Sequence, residues 1–272
     1  SRKLRADGTS SKTPDRLLVE EPLSIQLDGT LVSSTMRTPG HDFELAVGFC
    51  HTERLLHDVP VLGIRYCGNG SAVDTDFNVV TVETGGKAPE PTPRLGNTSS
   101  SCGICGSDAI EELTETLRVL PPHDSWDRQL LLSIPDRIRV TQGLFDSTGS
   151  SHAAAAVDRA GEVLLVREDI GRHNAVDKVV GRMLLDGDLP ATGKGLFVSG
   201  RASFEMVQKA WAAGFVSVVA VSAPSALAVS AATSAGMQLA GFARNGTLNV
   251  YATNPQPDDS VTDTVAEGEP VS

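Results

Sequence analysis

From His152 onward, short runs of β-branched or small residues alternate with segments of helical period, and this alternation limits the possible folds more than any other feature. His152–Val157 and Glu162–Arg167 predict two strands joined at Asp158-Arg-Ala-Gly161. Val176, Val179, Val180, Met183 and Leu184 share one face of a helix predicted over Asn174–Leu185. Leu196–Val198 follows as a short strand, then a helix over Ser203–Ala213 with Ser203 as N-cap and Gly214 as stop. Next come a strand at Phe215–Val221, an alanine-rich helix at Ser225–Ala235 and a strand at Met237–Ala243. A turn at Arg244-Asn-Gly246 then leads to a last strand, Leu248–Tyr251. Strands in turn with helices imply a parallel or mixed sheet covered on both faces, hence an α/β protein.

The first half is richer in strands. Leu17–Val19, Leu23–Leu27, Thr30–Arg37 and Val79–Val82 have strand patterning, with Asp28-Gly29 as a hairpin turn. One helix is expected at Glu44–Leu56 and another from Ser107 through Leu117. The organisation predicted is a flexible arm at 1–13, one α/β domain at 14–254 and an acidic, disordered tail at 255–272. Within the domain a β-rich part (about 14–100) precedes a cysteine-bearing loop (99–106) and a regular α/β part (about 107–254).

Composition narrows the function. No run approaches the ~20 apolar residues of a membrane helix, and the start of the chain lacks a hydrophobic leader pattern. A net charge of −11 opposes a nucleic-acid surface, which needs clustered Lys and Arg. Five acids and no base lie between Gln256 and Ser272, so the rest of the chain carries about −6. Four unevenly spaced cysteines form no secreted disulfide framework, and a reducing cytoplasm is the expected location.

Two of those cysteines stand together in Cys102-Gly-Ile-Cys105, inside a proline-, serine- and glycine-rich loop and just ahead of a predicted helix. The positive helix N-terminus lowers a thiol pKa, so at least one of the two is expected to be a nucleophile near neutral pH. Such a pair suits sulfur or disulfide exchange, metal ligation or a redox switch. Cys50 and Cys67 could complete a four-cysteine zinc site, though neither belongs to a second C-x-x-C, and both fit better as small packed residues. His51-Thr-Glu53 upstream of Cys102 resembles the zinc deaminase pattern, but Ser101 stands where that pattern has proline.

Two further motifs have a common form. Gly171-Arg172-His173-Asn174 opens a helix after a strand, and Ser199-Gly200-Arg201-Ala-Ser203 does the same. A glycine turn with arginine at a helix N-terminus is an anion site. Two at the carboxyl ends of strands would face one crevice and suit a ligand with several phosphates. Asn174 is the expected cap of the first helix, and Asp177 would orient His173 or complement the helix dipole. His152 is a ligand contact, a general acid or a structural residue. Phe242-Ala243-Arg244-Asn245-Gly246-Thr247 combines an aromatic face, a guanidinium and a glycine turn, which suits a nucleotide base and its phosphate.

Taken in order, Cys102-Gly-Ile-Cys105-Gly, Asp169-Ile-Gly-Arg-His-Asn-Ala-Val-Asp-Lys178 and Ser199-Gly-Arg-Ala-Ser-Phe-Glu205 closely resemble the formate dehydrogenase accessory sulfurtransferase family, FdhD. Glu21-Pro-Leu-Ser-Ile25 and Glu44-Leu-Ala-Val-Gly-Phe49 agree, and the resemblance spans about 15–253. It implies a cytoplasmic homodimer with a cytidine-deaminase-like mixed sheet flanked by helices, without deaminase activity. It also implies a sulfurtransferase that receives persulfide sulfur from a cysteine desulfurase and passes it to the molybdenum cofactor of formate dehydrogenase. By the resemblance, Cys102 carries the persulfide and Cys105 is its partner. The bis-molybdopterin guanine dinucleotide, or a GDP-like nucleotide in its place, meets Phe242–Thr247, and its charge suits Arg172, His173, Arg201 and Ser203. No membrane or nucleic-acid partner is implied. The alternatives are a non-catalytic cofactor chaperone and a zinc deaminase. Two segments depart from the family pattern: Cys50-His51-Thr52-Glu53-Arg54, and the longer stretch from Thr141 to His152.

Overall fold

The computed structural model describes residues 1–66, 78–90 and 106–254. Its strands form three sheets. The larger has six strands: β7 (His152–Val157), β8 (Val163–Asp169), β9 (Gly195–Val198), β10 (Ser217–Ala220), β11 (Gln238–Arg244) and β12 (Thr247–Ala252). They lie in the order β12-β11-β10-β9-β7-β8. Strands β9, β10 and β11 are parallel, while β7 and β12 run against their neighbours. Period-two alternation divides the side chains between two cores. Ala154, Ala156, Leu196, Val198, Val218 and Ala220 pack with α5 (Arg172–Asp186), α6 (Phe204–Ala213) and α7 (Ala226–Ala235). Ala155, Val157, Phe197 and Val219 face the other way, onto α3 (Arg128–Arg139). The mixed sheet flanked by helices and the β-rich N-terminal part expected from the sequence are both present, as separate sheets.

The second sheet has the order β4-β3-β6-β5, built from β3 (Glu21–Leu27), β4 (Thr30–Arg37), β5 (Gly63–Tyr66) and β6 (Val79–Glu83). Leu23, Ile25, Leu27, Val80 and Val82 pack on Leu45, Val47 and Cys50 of α1 (Asp42–Thr52). Helix α2 (Gly106–Thr116) begins one residue before the position the sequence suggests.

Several elements correct the sequence reading. Residues 1–13, expected to be a flexible arm, hold an exposed hairpin of β1 (Arg2–Leu4) and β2 (Ser10–Lys12) that the sequence reading did not foresee. Leu17–Val19 is not a strand; Leu17 and Val19 are exposed and pair with nothing that would bury them. The helix predicted to start at Asn174 starts at Arg172 with Gly171 as its cap. Its expected cap, Asn174, instead donates to the Met36 carbonyl (2.8 Å) and to Asp169 (3.0 Å). Strand β5, helix α3 and α4 (Gly143–Thr148) were not foreseen. The tail at 255–272 lies outside the described residues.

The two larger sheets meet through α1 and α5. A Cβ on Gly48 would coincide with the carbonyl oxygen of Asp177 and stand 2.8 Å from the Gly181 nitrogen. A Cβ on Gly181 would meet the Glu44 carbonyl oxygen in the same way and lie 2.8 Å from the Gly48 nitrogen. The helices therefore cross backbone to backbone, and only glycine fits at either position.

Buried ion pairs surround that crossing. Arg167 of β8 grips Glu44 with two hydrogen bonds (2.5 and 2.9 Å). Lys178 pairs with Asp169 (2.7 Å) and donates to the Thr38 carbonyl (2.9 Å). Lys209 of α6 bonds both Asp177 oxygens (2.9 and 3.0 Å), Thr52 (2.9 Å) and Glu53 (3.0 Å). Asp177 thus faces Lys209 and Thr52 and does not orient His173. Burial works against the Lys209 charge, but Asp177 and Glu53 outweigh it and raise the pKa.

Gly48→Ala or Gly181→Ala is expected to cost about 3 kcal/mol by overpacking the crossing. Gly143→Ala, where nothing lies within 4 Å of the added methyl, should stay within about 0.5 kcal/mol of the parent. Urea unfolding of the three variants measures the contrast.

Candidate functional site

Cys102, Cys105 and Cys67 lie outside the described residues; the description resumes at Gly106, the first residue of α2. Cys50 is described and is wholly buried. Burial, with Asp177 next in weight, pushes its thiol up to about 12, so it is no nucleophile at neutral pH. The neighbouring His51 donates from Nε2 to the Ala212 carbonyl (3.3 Å), and Glu53 accepts from Lys209. Both members of the H-x-E pattern are thus held by structural partners.

The remaining predicted residues gather at one edge of the six-stranded sheet. Because β7 runs against β9, its first residue His152 lies beside the carboxyl end of β9, where Ser199 Oγ accepts from Ala153 N (2.9 Å). A cleft of about 430 Å³ opens here, lined by His152, Ser199, Ala243, Arg244 and Asn245 among others. Carboxyl ends of parallel strands are the usual ligand edge of open α/β sheets.

The segment Phe242–Thr247 reaches the cleft through irregular backbone. The ladder between β11 and β12 is bulged between Gly241 and Arg244, and both Phe242 and Asn245 have φ of 53°. A bulky residue in the left-handed region is strained, and such strain concentrates at functional sites. The Arg244 guanidinium lies 5.9 Å from the centre of the Phe242 ring. Gly246 and Thr247 form the exposed tip, with Thr247 Oγ1 donating to the Arg244 carbonyl (3.0 Å).

The two arginine turns stand next to each other. A Cβ on Gly200 would lie 3.6 Å from Arg172 Cδ and 3.7 Å from His152 Nδ1, so the three residues meet. Neither Gly171 nor Ser203 caps its helix with a side chain; at the start of α6 the Glu205 carboxylate accepts from its own backbone N–H. Ser203 Oγ instead donates to Glu205 (2.9 Å), whose carboxylate stands 3.5 Å from His173 Nε2. His173, with Ser203 assisting against burial, holds Glu205 down to about 2. Burial, then the charges of Arg172 and His173, lowers the pKa of His152. Arg201 is exposed. Among the described residues Arg172, Arg201 and Arg244 make no ion pair, and the buried Nε of Arg172 has no hydrogen-bond partner. Guanidiniums left unpaired beside two helix N-termini suit a multiply charged anion.

One wall of the cleft was missed by sequence reasoning. Pro135, Asp136 and Arg139 of α3, then Gln142 and Phe145, face the sheet edge. Arg139 pairs with Asp146 (2.6 Å) and lies 4.8 Å over the Phe145 ring. Glu168 accepts from Leu144 N and Phe145 N (2.8 Å each) and from Ser151 Oγ (2.6 Å), which pins α4 to β8. The sequence does carry a signal for α3: Asp127 caps Gln129 N (2.7 Å), and Leu131, Ile134 and Ile138 recur at helical spacing. Pro135 within that run hides it.

Comparison with known proteins decides the lineage. The FdhD/NarQ family model matches residues 18–256. The chain belongs to the FdhD/NarQ family. The sulfur carrier protein FdhD of Streptomyces avermitilis is 48% identical over 255 residues, 90% of each chain. That of Mycobacterium tuberculosis is 44% identical over 261 residues, 92% of this chain and 94% of its own. A solved structure from Desulfotalea psychrophila, provisionally named a formate dehydrogenase accessory protein, superposes with a TM-score of 0.73 at 22% identity. It covers 92% of this chain and 94% of its own. That likeness shows a shared fold over nearly the whole chain. Among the described residues no helix is long and apolar enough to cross a membrane.

Glu205 supplies a pH signature for the link between the two helix starts. A carboxylate held below its ordinary 4.5 contributes stability above that pH and loses it as pH falls toward about 2. The stability difference between the parent and Glu205→Gln is therefore expected to shrink as pH falls from about 4.5 to about 2. Urea midpoints of both proteins across that range measure it.

Proposed function

We propose that the protein is a sulfur carrier that accepts persulfide sulfur on Cys102 from a cysteine desulfurase. It delivers the sulfur to the bis-molybdopterin guanine dinucleotide cofactor destined for formate dehydrogenase, with that cofactor as its substrate. One observation carries this reading: Cys102-Gly-Ile-Cys105 stands immediately ahead of α2 in a chain 48% identical to a sulfur carrier protein FdhD. Support for the anionic substrate comes from the sheet edge, where Arg172 and Arg201, at the starts of α5 and α6, and Arg244, on the cleft, make no ion pair.

The chemistry follows from adjacent thiols. Cys102 thiolate attacks the outer sulfur of the donor persulfide, the donor S–S bond breaks, and the donor thiolate leaves Cys102–S–SH. Attack of Cys105 thiolate on the inner sulfur then forms a Cys102–Cys105 disulfide and expels sulfide as HS⁻ toward the metal. Both electrons gained by the outgoing sulfur come from the two cysteine thiolates, and a cellular dithiol reductant resets the pair. Arg172, His173, Arg201 and Ser203 receive the phosphates, and Phe242–Thr247 meets the nucleotide end. The protein acts in the cytoplasm as a homodimer with the desulfurase and formate dehydrogenase as partners.

Intact mass after incubation with a cysteine desulfurase and cysteine tests the first step. A gain of ~32 Da is expected, removed by reductant, absent in Cys102→Ala and retained in Cys50→Ala, whose thiol is protonated and buried. No gain on the parent, with transfer to a control acceptor intact, would leave a cofactor chaperone that carries no sulfur.

A further inference from the structure

Residues 1–13 are a basic stretch in an acidic chain. Arg2, Lys3, Arg5 and Lys12 stand against one acid, Asp7, while the whole chain carries −11. Asp7 neutralises none of the four cations: its carboxylate accepts from Thr9 N (2.9 Å) and Thr9 Oγ1 (2.7 Å) at the turn. The arginines are held by serines alone, Arg2 donating to Ser10 Oγ (2.9 and 3.2 Å) and Arg5 to Ser11 Oγ (3.3 Å). Among the described residues none of the four cations makes an ion pair. Arg2 also faces Lys12 directly across the β1–β2 ladder, and like charges in that position destabilise a strand pair. Every residue of the two strands except Ser11 is exposed, and the side-chain hydrogen bonds of the hairpin stay within it. A two-stranded hairpin with nothing packed on it is marginal in water. Four crowded cations on such a hairpin call for an anionic partner.

The complementary charge is in the same chain. Asp258, Asp259, Asp263, Glu267 and Glu269 follow Asn254 with no Lys or Arg among them, in a stretch outside the described residues. Along an extended chain the side chains alternate between two faces. Asp259, Asp263, Glu267 and Glu269 all fall at odd positions, hence on one face. Residues 14–254 carry about −9, so the body of the protein repels this segment while the hairpin, at +3, attracts it. Reach is sufficient. Glu267 is 13 residues beyond Asn254, about 45 Å of extended chain, and a domain of this size is about 45 Å across. The tether holds the segment at an effective concentration of roughly millimolar.

We propose that the acidic segment 258–269 docks on the β1–β2 hairpin of its own chain, with its one-sided acids against Arg2, Lys12 and the neighbouring cations. The contact relieves the repulsion between Arg2 and Lys12. Singly, such exposed pairs are weak; several on one tethered segment act together.

Zero-length carbodiimide cross-linking of the full chain, read by peptide mass spectrometry, tests the contact. At about 20 mM salt, Lys3 and Lys12 are expected to couple to the acids of 258–269 roughly 5-fold more than Lys87 does. Lys87 is exposed on the body of the protein and reports random encounter. The yield should fall roughly 5-fold at about 1 M salt, where the screening length is about 3 Å. Arg2→Gln combined with Arg5→Gln keeps both lysines for coupling, removes half of the cations and should lower the yield roughly 3-fold. Both arginines are exposed and bond only to Ser10 and Ser11, so the variant keeps the body of the fold. Refolding isotope-labelled and unlabelled chains together separates docking within a chain from docking between chains. Coupling within one isotope class is expected, and mixed pairs would overturn the assignment to the same chain. Equal coupling to Lys87, or a yield untouched by salt and by the arginine changes, would overturn the contact itself. So would a lack of coupling at Lys3 and Lys12, the result if the acids are drawn instead to Arg172, Arg201 and Arg244.

Discussion

The backbone crossing of α1 and α5 at Gly48 and Gly181 sets the position of everything that follows. Each helix belongs to a different sheet: α1 packs under the four-stranded sheet and α5 under the six-stranded one. Where two helices touch backbone to backbone, the distance between their sheets is fixed by main-chain atoms and not by adjustable side chains. That distance in turn fixes where α5 begins, and Arg172 and His173 are its first two residues. The candidate anion site is therefore held in place from more than one helical turn away.

The buried charges around the crossing act in the same direction. Isolated, each would be expensive to desolvate. Here Asp169 is satisfied by Lys178, Thr38 N, Gly171 N and Asn174, so no lone pair of consequence is left open. The Gly171 contact joins this network directly to the turn that carries Arg172. A motif whose residues look like a ligand site in sequence thus divides in structure. Asp169, Asn174, Asp177 and Lys178 build the frame, while Arg172 lies beside Gly200 and His152, and His173 beside Glu205.

Much of the fold was legible because period and punctuation agreed. Gly187, Gly214 and Gly236 each close a helix in the left-handed conformation, and Ser225 caps α7 by accepting from Ala228 N (3.2 Å). Reading failed where one residue carried two meanings. Pro135 reads as a break but sits inside α3. Leu17 and Val19 have strand-forming side chains but no neighbouring strand to pair with. At the site, both arginine turns and the Phe242–Thr247 segment were legible as local motifs, since each is a short stretch of sequence. The wall of Asp136 and Gln142 was not, because it depends on α3 lying across the sheet face, a long-range fact with no local signature.

An acidic protein with the proposed anion site has to separate its local field from its overall charge. Elsewhere in the molecule some arginines are neutralised in pairs, as with Arg37 and Asp42 (3.0 Å) or Arg182 and Asp186 (2.5 Å). At the sheet edge Arg172, Arg201 and Arg244 are left without such partners, while His173 is paired with Glu205, so the positive charge is carried by guanidiniums that do not titrate. The fixed charge of Arg172 and Arg201 sits at the starts of α5 and α6, whose dipoles act only within the first helical turn. A compact polyanion that enters the cleft feels this field at short range. An extended one, such as a nucleic acid, would also feel the net charge of −11 over the rest of the chain. On the proposed reading, preference for a small, highly charged ligand over a long one would follow from how the charges are distributed, and not from their sum.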